Sequence, residues 1–256
     1  MDLDISHTKN YLKNFLKDQV HKTGFKKVVI GLSGGVDSVV ATYLSAEALG
    51  RENVLAIMLP YKSSSPQSLT DALQVTNILG IRNLKIDITP MVDGFKNLDT
   101  QMDHVRLGNI MARVRMIALY DLSAKEQALV IGTSNKTEMI LGYGTLYGDT
   151  ACAINPLGDL YKTQIWELAK ELGVPENIVS KKPTADLWSG QTDEGELGFL
   201  YKDVDKLLLE MIDNALTNDE LVKLGFDKTF VVNVRTRIRS NEFKRRLPVV
   251  ALLPRK

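Results

Sequence analysis

Cysteine is almost missing from this sequence: Cys152 is the only one in 256 residues. A single thiol excludes an internal disulfide framework, a CxxC redox pair and a cysteine-built zinc site. Histidine is nearly as sparse. His7, His21 and His104 are scattered, with no metal-ligand spacing and no triad partners, so they read as surface or structural residues. An excess of one charge is missing too. Lys plus Arg number 32 and Asp plus Glu 31, a net charge of +1. No global field therefore marks a nucleic-acid or membrane binder, and neither is expected as a partner. No stretch approaches the roughly 18–20 apolar residues of a membrane span. The opening MDLDISHTKNYLKNFL has acids early and no continuous apolar run, unlike a signal peptide. The expectation is a cytoplasmic protein, without internal repeats, low-complexity tracts or a linker that splits the chain.

What is present is an ordinary globular composition, 44% hydrophobic and 25% charged, enough to bury a substantial core. Ile5–Val20 has the apolar spacing of an amphipathic helix. Val28–Leu32 reads as a strand, Asp37–Leu49 as a helix, and Val54–Leu59 as a strand buried on both faces. Gln67–Leu79 reads as a helix and Leu84–Ile88 as a short strand. Gly108–Leu122 is a long helix with a stripe of Leu107, Ile110, Met111, Val114 and Ile117. Ala128–Ile131 is a further strand, and Thr163–Leu172 a helix closed by Gly173. The alternation predicts an α/β fold, a parallel sheet with helices on both faces. Lys181–Gly198 reads as a long polar loop of the kind that forms lids. Tyr201–Leu216 looks helical, and Arg235–Arg246 is a basic tail.

Between the first predicted strand and its helix stands Ser33-Gly34-Gly35-Val36-Asp37-Ser38. In a parallel sheet, ligands bind beyond the C-terminal strand ends. Glycines there let successive N–H groups face one way, and the next helix adds its dipole and unpaired donors. Ser33 and Ser38 add hydroxyls, which completes a phosphate cradle. Asp37 would repel phosphate unless a divalent cation bridges the two, which is how Mg²⁺ is commonly held. A bare glycine pair is usually only a tight turn with a helix cap. The string is neither GxxxxGK[ST] nor GxGxxG.

SGGVDS resembles the PP-loop of the N-type ATP pyrophosphatases, which cleave ATP between its α and β phosphates and transfer AMP to a carbonyl oxygen. Three further stretches narrow the likeness: Gly108–Met116 (GNIMARVRM), Gly132–Glu138 running on to Gly142–Asp149 (GTSNKTE, GYGTLYGD), and Lys182–Leu187 running on to Thr192–Gly198 (KPTADL, TDEGELG). From about Val28 to Pro248 the chain resembles the ammonia-dependent NAD synthetases, with the motifs in that family's order. The resemblance implies a doubly wound, mostly parallel, Rossmann-like sheet of the adenine nucleotide alpha hydrolase type. It implies a ligase that amidates nicotinic acid adenine dinucleotide (deamido-NAD) with ammonia. ATP is the co-substrate and Mg²⁺ the cofactor. A homodimer is implied, with Gly108–Leu122 as a candidate interface helix whose stripe serves equally well against the sheet.

The resemblance also distributes roles. Asp37, Glu138 and the Thr184 hydroxyl match Mg²⁺-holding positions. Gly31, Ser33, Gly34, Gly35, Asp37, Ser38, Thr133, Lys162 and Thr184 match the ATP site, with Lys162 on the phosphates. Asn109, Arg113, Tyr143, Glu138, Asp149 and Lys244 match the deamido-NAD side, with Asp149 near the nicotinate, where it would hold ammonium or the amide. Asp37, Lys162 and Asp149 are the expected catalytic group. From pattern alone, Asn109 and Arg113, at i and i+4, read as a solvated polar stripe, Glu138 as a helix-start acid, Thr184 as a turn residue and Lys162 as a surface lysine. Two positions depart from the family. Met58 stands where some members carry a basic ATP contact, and Phe243-Lys244 replaces a His-Lys pair, leaving only Lys244 to carry over. The expectation is one domain over 1–256 with no glutaminase domain, fed by free ammonia, and Cys152 as a buried thiol. The competing readings are another PP-loop enzyme, such as a GMP synthetase core or an RNA-modifying ligase, and an ATP-binding module without catalysis.

Overall fold

The computed structural model describes residues 3–99, 101–188 and 190–253. Met1 and Asp2 of the opening stretch, and Ser189 of the polar loop, lie outside them. Helix α1 (Ile5–Lys22) starts where the Asp4 carboxylate accepts the His7 N–H. Then follow β1 (Lys27–Gly31), α2 (Val36–Leu49), β2 (Val54–Met58), α3 (Pro66–Leu79) and β3 (Arg82–Lys85). Next come α4 (Thr89–Lys96), α5 (His104–Glu126), β4 (Ala128–Ile131), α6 (Lys136–Leu141) and α7 (Lys162–Glu171). The C-terminal region holds α8 (Glu176–Val179), α9 (Asp193–Leu197), α10 (Tyr201–Leu208), α11 (Asn218–Lys223) and α12 (Lys228–Ser240).

The four strands form one sheet in the order β3-β2-β1-β4. Every pairing is parallel, with Val28 beside Val54 and Lys27 beside Ala128. The order reverses between β1 and β4, so the sheet is doubly wound, as expected. β2 is apolar throughout, and β1 from Val28 to Ile30, because both faces are covered. Val28, Ile30, Ala56 and Met58 enter the core beneath α1, α2 and α7. Val29, Leu55 and Ile57 point the other way, toward Val92 of α4 and Met111 and Val114 of α5. The α5 stripe is thus divided: Met111 and Val114 pack on the sheet, while Ile117 is exposed. A third core, with Leu141, Tyr161, Tyr201, Leu207 and Val231, joins α6, α10 and α12 beyond the sheet.

Several boundaries differ from the sequence reading. The third strand is Arg82–Lys85, upstream of Leu84–Ile88. It is a solvent-exposed edge, so its residues carry no apolar signal. The apolar residues that suggested a later start still run alongside, with Ile86 N–H donating to the Met58 carbonyl and Ile88 N–H to that of Pro60. The segment from Tyr201 is α-helical only to Leu208, and a π-helical turn, Leu209–Asp213, follows. The polar loop contains α9, capped by the Thr192 hydroxyl. The first half of the basic tail, to Ser240, lies in α12, anchored by buried Val231 and Val234.

Candidate active site

β1 ends at the Ser33–Ser38 turn, which its own hydroxyls shape. Ser33 Oγ accepts the Gly35 N–H at 3.2 Å and lies 3.1 Å from Ser38 Oγ, and Ser38 Oγ donates to the Gly35 carbonyl at 2.9 Å. Gly34 has φ +81°, and a Cβ there would come within 2.3 Å of the Ser68 carbonyl oxygen of α3. The glycine is therefore required twice, for its backbone and for its neighbour. At Gly35, the N-cap of α2, no side chain caps the helix. The first N–H groups of α2 are left for a ligand, which suits an anion.

Beside this turn, buried Lys162 donates to Asp37 Oδ2 at 2.5 Å and stands 3.7 Å from Glu138 Oε1. Asn135 ties the same carboxylates together. Its Nδ2 donates to Asp37 Oδ1 at 2.8 Å, and its Oδ1 caps α6 by accepting the Glu138 N–H at 2.9 Å. Glu138 completes the capping box through Oε2, which accepts the Asn135 N–H, and leaves Oε1 facing Lys162. Burial, then the charge of Asp37, push the Glu138 carboxyl up to about 8. Burial opposes the Lys162 ammonium, but Asp37 and Glu138 outweigh it and hold it above its ordinary value. One ammonium thus serves two carboxylates. The oxygen donors and the shortage of positive charge fit a hard divalent cation. Among the described residues, no three His, Cys, Asp or Glu side chains gather into a metal-holding group, so further oxygens would come from Thr184 or the substrate.

These groups open into a cleft of about 800 Å³ along the C-terminal edge of the sheet, in the upper part of the usual range for ligand pockets. Gly31, Met58 and Thr133, at or just past the ends of β1, β2 and β4, line it. Thr184 also lines it and accepts the Asp186 N–H at 3.1 Å. Among the described residues Thr184 has no bond to Asp37 or Glu138. Residues of the polar loop on either side of Ser189 line the cleft. Asp186 accepts the Ser65 N–H, Leu187 packs on Gly108, and the Trp188 ring lies 5.9 Å from that of His104.

On the other wall, Asn109 Oδ1 accepts the Thr145 hydroxyl at 2.8 Å, whereas Arg113 is exposed on the outer face of α5 and donates to the Leu146 carbonyl. Tyr143 donates to Asp193 and Glu196. Asp149 accepts the Thr145 N–H at 2.8 Å, and desolvation by the surrounding walls raises its carboxyl although it opens to the cleft. Lys244 donates to the carbonyls of Gly142 and Gly144. Cys152 packs against Gly132, and burial raises its thiol, which marks an unreactive residue.

Sequence reasoning missed three contributors. Asn135 sits in N-x-x-E, a capping-box signature that was there to find. Asp205 accepts the Thr137 hydroxyl at 2.6 Å and the Thr163 N–H at 2.8 Å, fixing the start of α7 and hence Lys162. Arg115, two residues beyond Arg113, lines the cleft and donates to the Leu59 carbonyl. No local pattern announced either of these.

With a phosphate cradle at the switch point of a doubly wound sheet, this molecule is, in class, a nucleotide-binding α/β protein. The NAD synthase family model matches residues 8–248, and the chain belongs to that family. It is 49% identical over 255 residues to the NH(3)-dependent NAD(+) synthetase of Fusobacterium nucleatum, covering 100% of this chain and 99% of that one. Among solved structures it is similar to the NH3-dependent NAD synthetase from Campylobacter jejuni in complex with nitrate, with TM-score 0.84, 36% identity, and coverage of 98% and 100%. It is also similar to NMN synthetase from Francisella tularensis, with TM-score 0.87, 34% identity, and coverage of 98% and 100%.

Proposed function

We propose that this chain amidates deamido-NAD with ammonia, at the expense of ATP, to give NAD⁺, AMP and pyrophosphate. The observation that carries the reading is the Asp37–Lys162–Glu138 cluster beside the open N-terminus of α2. A nicotinate carboxylate oxygen attacks the α-phosphorus of ATP, and the bond from that phosphorus to the bridging oxygen breaks, releasing pyrophosphate. The acyl-adenylate carries a good leaving group. Ammonia attacks its carbonyl carbon, AMP departs with the former carboxylate oxygen, and a proton is lost from nitrogen. The cradle and Lys162 hold the phosphates, so that charge building on pyrophosphate meets fixed donors. Asp37 and Glu138 would hold Mg²⁺, with the Thr184 hydroxyl as a further oxygen. When bound, the ion neutralises phosphate charge. Gly31, Met58 and Thr133 would face the nucleoside of ATP. Asn109, Tyr143, Asp149 and Lys244 would line the dinucleotide side. In a homodimer whose dinucleotide site lies near the interface, Arg113 stands on the face that meets the partner. We place the reaction in the cytoplasm.

Incubation with ATP, Mg²⁺, deamido-NAD and ammonium chloride should give NAD⁺ and AMP in equal amounts, and Asp37→Ala should abolish both. ATP binding without NAD⁺ would overturn the substrate assignment. The likeness to NMN synthetase supports a second reading, in which nicotinic acid mononucleotide is the acceptor. The same assay with that compound separates the two by kcat/KM.

A further inference from the structure

The cations along the cleft are not equally available. Lys162 is paired with Asp37, and Lys181 with Asp71 at 2.9 Å. Lys244 is tied to two carbonyls, and Arg115 is anchored through Nε to the Leu59 carbonyl. Arg237 differs. It lines the cleft from α12, and among the described residues its side chain makes no hydrogen bond and no ion pair; Lys182, also on the cleft wall, is likewise unpaired but is exposed to solvent. The Arg237 side chain is less accessible. The Arg237 Nε is buried without an acceptor. A buried donor left without a partner is unfavourable until a ligand supplies one.

The backbone beneath it is fixed. Val231 and Val234 seat α12 in the third core, and Asn241 at its end lies so close to Gly142 that a Cβ there would come within 2.2 Å of the Asn241 Cβ. Lys162 senses Asp37, Glu138 and Asp193, whereas Lys244 senses Asp149 and Arg237. Cations thus stand at two places on the cleft wall, Lys162 beside the cradle and Arg237 on α12. The cradle and Lys162 take the ATP phosphates at the first. In the amidation reading the nicotinate carboxylate must also approach that place. The remaining anion of the second substrate is its diphosphate, and a guanidinium presents a forked set of donors that matches phosphate oxygens.

We propose that Arg237 positions the dinucleotide by donating to its diphosphate from the α12 wall of the cleft. This rests on the amidation reading for the identity of the ligand. Deamido-NAD and NAD⁺ share the diphosphate, but only deamido-NAD has the carboxylate. Arg237→Gln and Arg237→Lys in the full chain separate these sources. For Arg237→Gln, the KM for deamido-NAD and the calorimetric Kd for NAD⁺ should rise together, roughly ten- to a hundredfold. The KM for ATP should stay within about twofold. Arg237→Lys should recover some of the loss, because it keeps the charge and removes the fork. A Kd for NAD⁺ that matches the wild type would overturn the proposal, and a rise in KM alone would reassign Arg237 to the carboxylate. Thermal melting checks folding. If Arg237→Gln fails to fold, Arg237→Lys carries the same comparison, with a severalfold rise in both constants expected. NAD⁺ binding is read without turnover, so a wild type that makes no NAD⁺ would overturn the amidation reading while Arg237 is judged separately.

Discussion

At the scale of single residues, Lys162 controls the site. It is the first residue of α7, where the helix dipole disfavours a cation, and it is buried. Asp37, Glu138 and the face of the Tyr201 ring, 5.2 Å from Nζ, make the position tolerable. Lys162→Met keeps the chain length and removes the charge. Asp37 and Glu138 would then share a buried site without a cation. The variant should lose about 10²–10³ in kcat and melt at a lower temperature without ligands than the wild type. Steady-state rates and a thermal scan check this, and an unchanged kcat would remove Lys162 from the phosphate chemistry. Ser33, Asp37 and Ser38 were legible because they fall in one contiguous string at a strand–helix junction. Asn135 was not legible as their partner, because its contact with Asp37 spans 98 residues. The Arg113 and Arg115 pair shows the same limit. Two residues on a helix lie about 200° apart, so choosing which arginine enters a cleft requires knowing which face the sheet covers.

At the scale of elements, Asp205 of α10 joins α6 and α7. Its carboxylate holds the Thr137 hydroxyl and the Thr163 N–H, and that hydroxyl also accepts the Lys162 N–H at 3.0 Å. Asp205→Ala should cost about 2–4 kcal/mol, since it strands a buried hydroxyl and a partly buried N–H. Asp205→Asn should cost less. Burial, opposed by the hydrogen bonds from Thr137 and Thr163, raises the Asp205 carboxyl. Between its unfolded value of about 3.9 and this raised value, the folded chain binds more protons than the unfolded one. The contribution of Asp205 to stability therefore falls as pH rises through that window. In urea unfolding, the stability of Asp205→Asn relative to the wild type should improve as pH rises from about 4, and a change in the opposite sense would refute the assignment. Such joints explain what pattern reading could and could not supply. β2, β4 and Val28–Ile30 of β1 were legible because burial on both faces writes an apolar run, and α2 because its apolar residues recur at helical spacing after the glycine turn. α4, α6 and α11 passed unread because they are short, and α12 because its few apolar anchors lie among arginines.

At the scale of the whole molecule, α5 carries apolar side chains on two sides. Met111, Val114 and Leu122 meet the sheet, while Arg113, Ile117 and Tyr120, at i, i+4 and i+7, share the outer face. Ile117 is 64% exposed and Tyr120 43%. A helix that is apolar on its outer face gains by covering it, which supports the proposed homodimer. Ile117→Glu would place a carboxylate in that contact without touching the core beneath, so it should shift the population to monomer while the melting temperature at low protein concentration holds. Sedimentation velocity across a concentration series reads this, and a wild type that stays monomeric throughout would end the dimer reading. The cradle and Lys162 lie within one chain, so the monomeric variant should still bind ATP. Arg113 lies on the face that the substitution disrupts. If the dinucleotide reaches across the interface, Ile117→Glu should raise the KM for deamido-NAD and spare ATP affinity. That pattern would separate the ATP site, which a single chain completes, from a dinucleotide site that needs both subunits.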